Sequence, residues 1–287
     1  MRIGWIGVGL MGAPMVSRVH AAGHQVQVYS RAGSLPEALI AAGLRRCATL
    51  GEVVAGADVV VTMLGTPADV EQVYLGSGNG AAGLLAAARP GTVLVDMTTS
   101  GVEQAQRIAG VAKPLEVPVL DAPVSGGPFG AASGALSIMV GGPESALAVA
   151  APIFEVLGST VVHHGPSGAG QAAKLVNQLV VAATTKACGE AFGLASAEGL
   201  EVAKVVTSIM AGAAGAPLCD FILSKLANGD ESPGFKIAHL VKDLGLAVAE
   251  AHRLGVTLPL TGLVHQAAVH TEATLGGNVG SQMLAIA

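Results

Sequence analysis

Lys174, Asn177 and Gln178 stand three and four residues apart within GAGQAAKLVNQ, the segment from Gly168 to Gln178. Read as a glycine-rich turn opening a long helix, this segment puts one amine and two amides on a single face, since residues at that spacing share a side. An ammonium flanked by amides suits holding a carbonyl compound and passing it a proton. Taken alone, a lysine on an alanine-rich helix is more often a solvated surface residue. The chemical reading therefore depends on what the rest of the chain supplies.

A dinucleotide site is the first such supply. Strand-like residues Arg2–Ile6 run into Gly7-Val8-Gly9-Leu10-Met11-Gly12, followed by a helical window. In a strand–GxGxxG–helix unit the first glycine makes the tight turn, the second lets the backbone approach a pyrophosphate, and the third packs helix on strand. The free N–H groups of the helix start then face the anion. A glycine pattern is weak evidence in a chain with 40 glycines, and here the flanking strand and helix give it weight. The end of the second strand carries Ser30 and Arg31, where an NAD site usually has a carboxylate for the ribose hydroxyls. A neutral hydroxyl removes repulsion against a 2′-phosphate and an arginine fork can pair with it. The pattern favours NADP(H) and still admits NAD(H), since Arg31 could instead stack on the adenine; Ser34 is a further candidate phosphate ligand.

The second supply is Asp121-Ala122-Pro123-Val124-Ser125-Gly126-Gly127, which follows a strand. Alone it reads as an ordinary strand-ending turn. At the carboxyl end of a parallel strand it lies on the cofactor side, where successive N–H groups could cradle a substrate carboxylate.

Short β-branched runs at Arg2–Ile6, Gln25–Tyr29, Asp58–Met63, Thr92–Asp96, Val117–Asp121, Ala135–Val140 and Thr160–His163 alternate with helical windows such as Met11–Ala22, Pro67–Leu75, Val102–Val111 and Pro143–Leu157. That alternation predicts βαβ units around a mostly parallel sheet. After Gly165 the pattern is helical only, through Lys174–Gly199, Val202–Ala213, Leu218–Asn228, Phe235–Leu254 and Pro259–Glu272. Two domains are expected, an α/β domain over residues 1–165 and an all-helical one over 166–287. The last dozen residues, with Gly276, Gly277 and Gly280, read as mobile.

Of the 287 residues, 51% are hydrophobic, which excludes a disordered chain, and only 3% are aromatic, with a net charge of −5 and no basic run. These values argue against a nucleic-acid partner. Leu175–Ala197 is apolar yet holds Asn177, Gln178, Lys186 and Glu190, so it predicts a buried helix rather than a membrane span. Glycines at 4, 7, 9 and 12 and Pro14 break the apolar opening, which argues against a secretory leader. Three widely spaced cysteines and eight histidines without ligand-like spacing imply no disulfide framework and no metal, and a reducing cytoplasm is the expected setting.

The motifs GVGLMGAPM at 7–15, DMTTS at 96–100, DAPVSGG at 121–127, GAGQAAKLVNQ at 168–178 and KDLGLA at 242–247, in this order and at these separations, resemble the β-hydroxyacid dehydrogenases over nearly the whole chain. That family includes 3-hydroxyisobutyrate dehydrogenases, tartronate semialdehyde reductases and glyoxylate/succinic semialdehyde reductases. The resemblance implies a Rossmann domain, a long interdomain helix and an all-α C-terminal domain that mediates homodimers or homotetramers. By position, Lys174 looks like the catalytic lysine and Ser125, Gly126 and Gly127 like the carboxylate loop. Asn177 and Gln178 stand where the family usually has two asparagines, a pairing more like the tartronate semialdehyde reductases. Thr99 matches the hydroxyl residue beside the nicotinamide, Leu64 and Gly65 the loop after the fourth Rossmann strand, and Lys242 the lysine that reaches the cofactor. Gly65 replaces a usual proline, and Ser30 replaces the acidic residue of NAD-using members. The implied reaction interconverts a small 3-hydroxy acid and its semialdehyde, with hydride from NADPH and Lys174 as general acid.

Imine reductases share this architecture, but they generally lack the lysine and the carboxylate loop. A non-catalytic nucleotide-binding module would be expected to lose the lysine or gain a basic tail, and this chain does neither.

Overall fold

Along β1 (Arg2–Ile6), Ile3 and Trp5 enter one apolar cluster while Ile6 enters another, and Val59 and Val61 against Val60 repeat the division on β3 (Val59–Thr62). This period of two places a core on each face of the sheet, as expected of strands buried on both sides. The computed structural model describes residues 1–77 and 81–286. In it the chain divides into two units, Met1–Lys174 and Leu175–Ala287.

In the first unit the remaining strands are β2 (Gln25–Tyr29), the small hairpin β4 (Gly76–Ser77) and β5 (Ala81–Ala82), β6 (Val93–Asp96), β7 (Val119–Asp121), β8 (Val124–Ser125), β9 (Leu136–Gly141) and β10 (Gly158–Gly165). Apart from the hairpin they form one sheet in the order β10-β9-β7-β6-β3-β1-β2, with β8 beside β9. Strands β2, β1, β3, β6 and β7 are parallel, whereas β9 runs antiparallel to β7 and β8 and is followed in parallel by β10. The expected strands are present, each end within two residues of its predicted place. The reversal at β9 is new: Val124 and Ser125 pair with Ile138 and Ser137 around a short helix, turning the chain back on itself.

The helices of this unit are α1 (Gly12–Ala21), α2 (Glu37–Ala41), α3 (Leu50–Val54), α4 (Pro67–Leu75), α5 (Leu84–Ala87), α6 (Val102–Ala112), α7 (Gly127–Ser133) and α8 (Glu144–Leu157). Helix α9 (Ala169–Ala197) starts earlier than the apolar periodicity predicts, and the boundary between the units falls within it. The second unit continues with α10 (Val202–Ala211), α11 (Pro217–Ala227), α12 (Ile237–Leu254) and α13 (Pro259–Leu275). One of its cores joins Ala182, Ile237, Leu240, Leu244, Val264, Ala268 and Leu284; another gathers Cys188, Cys219, Ile222 and Leu223.

The C-terminal segment, whose glycines suggested mobility, is packed against the helical unit. Ser281–Ile286 form a 3-10 helix with Gln282, Met283, Leu284 and Ala285 buried; Ala287 lies outside the described residues. Its glycines and those of its neighbours permit close approach: a Cβ on Gly189 would stand 2.2 Å from the Ala285 carbonyl oxygen. Gln282 Nε2 donates to the Asp230 carbonyl at 2.7 Å, and the Ser281 amide to the Phe235 carbonyl at 2.6 Å. Among the described residues no helix is long and apolar enough to cross a membrane.

Candidate active site

The three glycines of the first turn differ in what surrounds them. Gly7 has a φ of +97°, and a Cβ there would stand 2.1 Å from the Met63 carbonyl oxygen; on Gly12 it would stand 2.1 Å from the Gly7 carbonyl oxygen. Both positions exclude a side chain because the turn and the start of α1 are pressed together. Around Gly9 nothing lies within 4 Å of where a Cβ would be. An open backbone at the mouth of a helix is what a pyrophosphate requires, so these residues fit a dinucleotide. Val8 and Met11 turn toward the core, and Leu10 is half exposed.

Beside this turn is a crevice of about 380 Å³ lined by Gly7, Tyr29, Ser30, Arg31, Leu50, Leu64, Gly65, Asp69, Gln72 and Val73 among others. The structure thus brings Ser30, Arg31, Leu64 and Gly65 together in one crevice. Ser30 is buried, and its carbonyl accepts a hydrogen bond from Arg46 Nε at 3.2 Å. The sequence did not reveal Asp69, whose carboxylate pairs with the exposed Arg31 guanidinium. Burial works to raise the Asp69 pKa, but the Thr66 hydroxyl and Arg31 together hold it below the ordinary carboxylate value.

The loops after β3 and β6 are joined by side chains. The Leu64 amide donates to Thr98 Oγ1 at 2.9 Å. Buried Asp96 accepts from the Thr98 amide at 3.0 Å, Thr62 Oγ1 at 3.0 Å and Ser100 Oγ at 2.8 Å. Burial nonetheless raises its pKa, and also that of Tyr74, to which the Asp96 charge adds. Thr99, assigned to the nicotinamide, stands in the middle of this braced loop and is partly exposed.

A second network fixes the start of α9. Asp121, at the end of β7, accepts from the Gly168 amide at 2.7 Å and the Gln171 amide at 2.8 Å. Fully buried Gln171 in turn accepts from the amides of Ser100 (3.0 Å) and Gly101 (3.1 Å) and donates to the Thr98 carbonyl at 2.8 Å. Gly141 and Gly170 make this contact possible, since a Cβ on Gly170 would stand 2.4 Å from the Met139 carbonyl oxygen. The helix that carries buried Lys174 is therefore docked, by its first turn, on the loop that carries Thr99. Burial pushes the Asp121 carboxyl up to about 6 despite its two amide donors, and the Asp96 charge contributes in the same direction. Asp121, Gln171 and Asp96 lie within motifs evident in the sequence, but nothing in their spacing gave these roles.

Ser125 ends β8, Gly126 has a φ of +132° and Gly127 begins α7. A Cβ on Gly126 would meet Leu136 Cδ2 at 3.2 Å, so a side chain there would strain the backbone as well as crowd Leu136. In the second unit, Asn177 Nδ2 donates to Gln178 Oε1 at 2.9 Å and Gln178 Nε2 to Asp243 Oδ2 at 2.7 Å. Asp243, almost wholly buried, is also ion-paired with Lys242 at 2.8 Å. This carboxylate, next to the predicted Lys242, had no assigned role in the sequence, yet it gathers Lys242, Gln178 and Asn177. Among the described residues no group of three or more His, Cys, Asp or Glu side chains is arranged to hold a metal ion.

Comparison with known proteins agrees with this geometry. Residues 2–165 match the NAD-binding domain model of 6-phosphogluconate dehydrogenase, and residues 168–286 match the NAD-binding model of NADP-dependent 3-hydroxyisobutyrate dehydrogenase. The chain is 40% identical to a probable 3-hydroxyisobutyrate dehydrogenase-like protein of Arabidopsis thaliana, covering 100% of this chain and 84% of that one. It is 38% identical to the NAD-dependent L-serine dehydrogenase of Pseudomonas aeruginosa, over 91% and 89% of the two chains. The 3-hydroxyisobutyrate dehydrogenase of Mycobacterium tuberculosis, solved with L-serine, superposes with a TM-score of 0.86 at 35% identity, over 99% and 98% of the chains. The chain belongs to the β-hydroxyacid dehydrogenase family and is an NAD(P)-dependent oxidoreductase acting on CH–OH groups.

Proposed function

We propose that the protein interconverts a small 3-hydroxy acid and its semialdehyde, with Lys174 as general acid and base and NADP(H) as the preferred cofactor. The observation that carries this reading is the buried lysine one turn beyond Gln171, on a helix start locked to the loop of Thr99. L-serine and 3-hydroxyisobutyrate, named in the relatives, are both 3-hydroxy acids, which supports the substrate class. The turn Gly7–Gly12, Ser30, Arg31, Leu64, Gly65, Thr99 and Lys242 are assigned to the cofactor. When bound, the nicotinamide supplies or accepts a hydride at C4.

The remaining steps belong to the chain. The Lys174 ammonium stabilises the developing alkoxide and then gives it a proton from Nζ; in oxidation the neutral amine removes that proton. Ser125 and the backbone of Gly126 and Gly127 hold the substrate carboxylate. Asn177 and Gln178 orient the substrate, with Gln178 fixed from behind by Asp243. Exposed Val176, Val180 and Leu194 along α9 support self-association into a homodimer or homotetramer.

The test is NADPH oxidation with tartronate, methylmalonate and succinate semialdehydes and glyoxylate, alongside NADP⁺ reduction with L-serine and 3-hydroxyisobutyrate. A carboxylated aldehyde should be turned over with far higher kcat/KM than its decarboxylated analogue. Equal values for the two would remove the carboxylate site and the substrate class with it.

A further inference from the structure

The cofactor crevice contains a carboxylate after all, contributed by α4 instead of β2. Asp69 Oδ2 accepts from the Thr66 amide at 3.1 Å and the Thr66 hydroxyl at 2.8 Å, while Oδ1 takes the Arg31 guanidinium. The two ends of this pair differ in freedom: the Arg31 side chain is 74% exposed and that of Asp69 19%. Asp69 is thus fixed by its helix start, and Arg31 is the partner able to move. Gly65 leaves room for the arrangement, since a Cβ there would already stand 3.3 Å from Asp69 Oδ2. Ser30, Arg31, Asp69 and Gln72 all line the same crevice.

We infer that Asp69 is a specificity-determining residue for the cofactor: it holds Arg31 away from a 2′-phosphate and sets how far NADPH is preferred to NADH. A 2′-phosphate must draw Arg31 off Asp69 and then lie near a fixed negative charge, whereas a 2′-hydroxyl meets neither demand. Ser30 and Arg31 favour the phosphate; Asp69 opposes it, and the balance leaves both cofactors usable. Discrimination of this kind works as much through repulsion as through attraction. The inference rests on NAD(P) binding in this crevice and is independent of the role given to Lys174.

The test is fluorescence titration of NADPH and NADH, without substrate, into the wild-type protein, Asp69→Asn, Asp69→Ser, Arg31→Ala and Arg31→Ala/Asp69→Asn. Asparagine keeps an oxygen for Thr66 and loses only the charge. Both neutral variants should tighten NADPH by about 10-fold relative to NADH, the order expected for removing one like charge at a partly solvated site. The NADH Kd should stay within about 3-fold of wild type, and the gain should shrink below about 3-fold without Arg31. A NADPH to NADH ratio that is unchanged in both neutral variants would overturn the inference and leave Asp69 a helix cap only. A gain undiminished without Arg31 would overturn the clamp. Substrate turnover plays no part in these readings, so their failure is separable from failure of the proposed chemistry.

Discussion

Helices α4 and α9 both begin on a carboxylate, and the two carboxylates come from opposite kinds of place. At α4 the cap is local: the Asp69 amide donates to Thr66 Oγ1 at 3.1 Å, and Asp69 answers the Thr66 amide across three residues. At α9 the cap is Asp121, some 50 residues away in sequence, reached through the Gly168 and Gln171 amides. The local cap stabilises one helix; the distant one also decides where that helix stands. Their charges behave oppositely too, since Asp69 is held below its ordinary pKa and Asp121 is pushed up to about 6. Lys174 is thus placed by tertiary contacts made through a desolvated carboxylate.

The largest expected effect follows from Gln171. Gln171→Leu would leave the amides of Ser100 and Gly101 and the Thr98 carbonyl without their partner. At about 1–3 kcal/mol for each unsatisfied buried group, partly relieved by relaxation, a loss of roughly 3–5 kcal/mol in urea unfolding is expected, with Gln171→Glu milder because it keeps the acceptor. A loss under about 1 kcal/mol would mean that α9 is not docked through this residue.

Asp121 comes next and is read through pH. Its folded-state pKa is raised from 3.8 to about 6, so its contribution to stability is fully present below the unfolded value and is lost as pH rises through about 6. Relative to Asp121→Asn, the wild-type protein should lose roughly 3 kcal/mol of unfolding free energy between about pH 3 and pH 7. A difference between the two that does not vary with pH would contradict the burial argument. The smallest effect is at the local cap: Thr66→Ala should cost about 1 kcal/mol, with kcat unchanged. A large fall in kcat there would erase the contrast between the two helix starts.

This contrast also marks what was legible in the sequence. Short β-branched runs announced the strands, and Gly7, Gly9 and Gly12 their turn, because those signals are local. The reversal at β9 was not legible, since it depends on Val124 and Ser125 pairing across α7. Nor was the ordered C-terminus: Gly189 and Gly280 serve as places of close approach, and composition does not distinguish such glycines from flexible ones. Lys174, Asn177 and Gln178 could be picked out as a helical face, while Asp121, Gln171 and Asp243, which hold that face in place, act over long separations. Asp69 escaped because a carboxylate was sought only at the end of β2, where Ser30 stands, whereas this one is carried by α4.

The most direct measurement is the turnover of Lys174→Ala together with its cofactor affinity, each determined on the best substrate of the panel. With Lys174 as the general acid, kcat should fall by at least ~10²-fold, while the NADPH Kd stays within about 3-fold of wild type. Near-normal turnover in that variant would contradict the account.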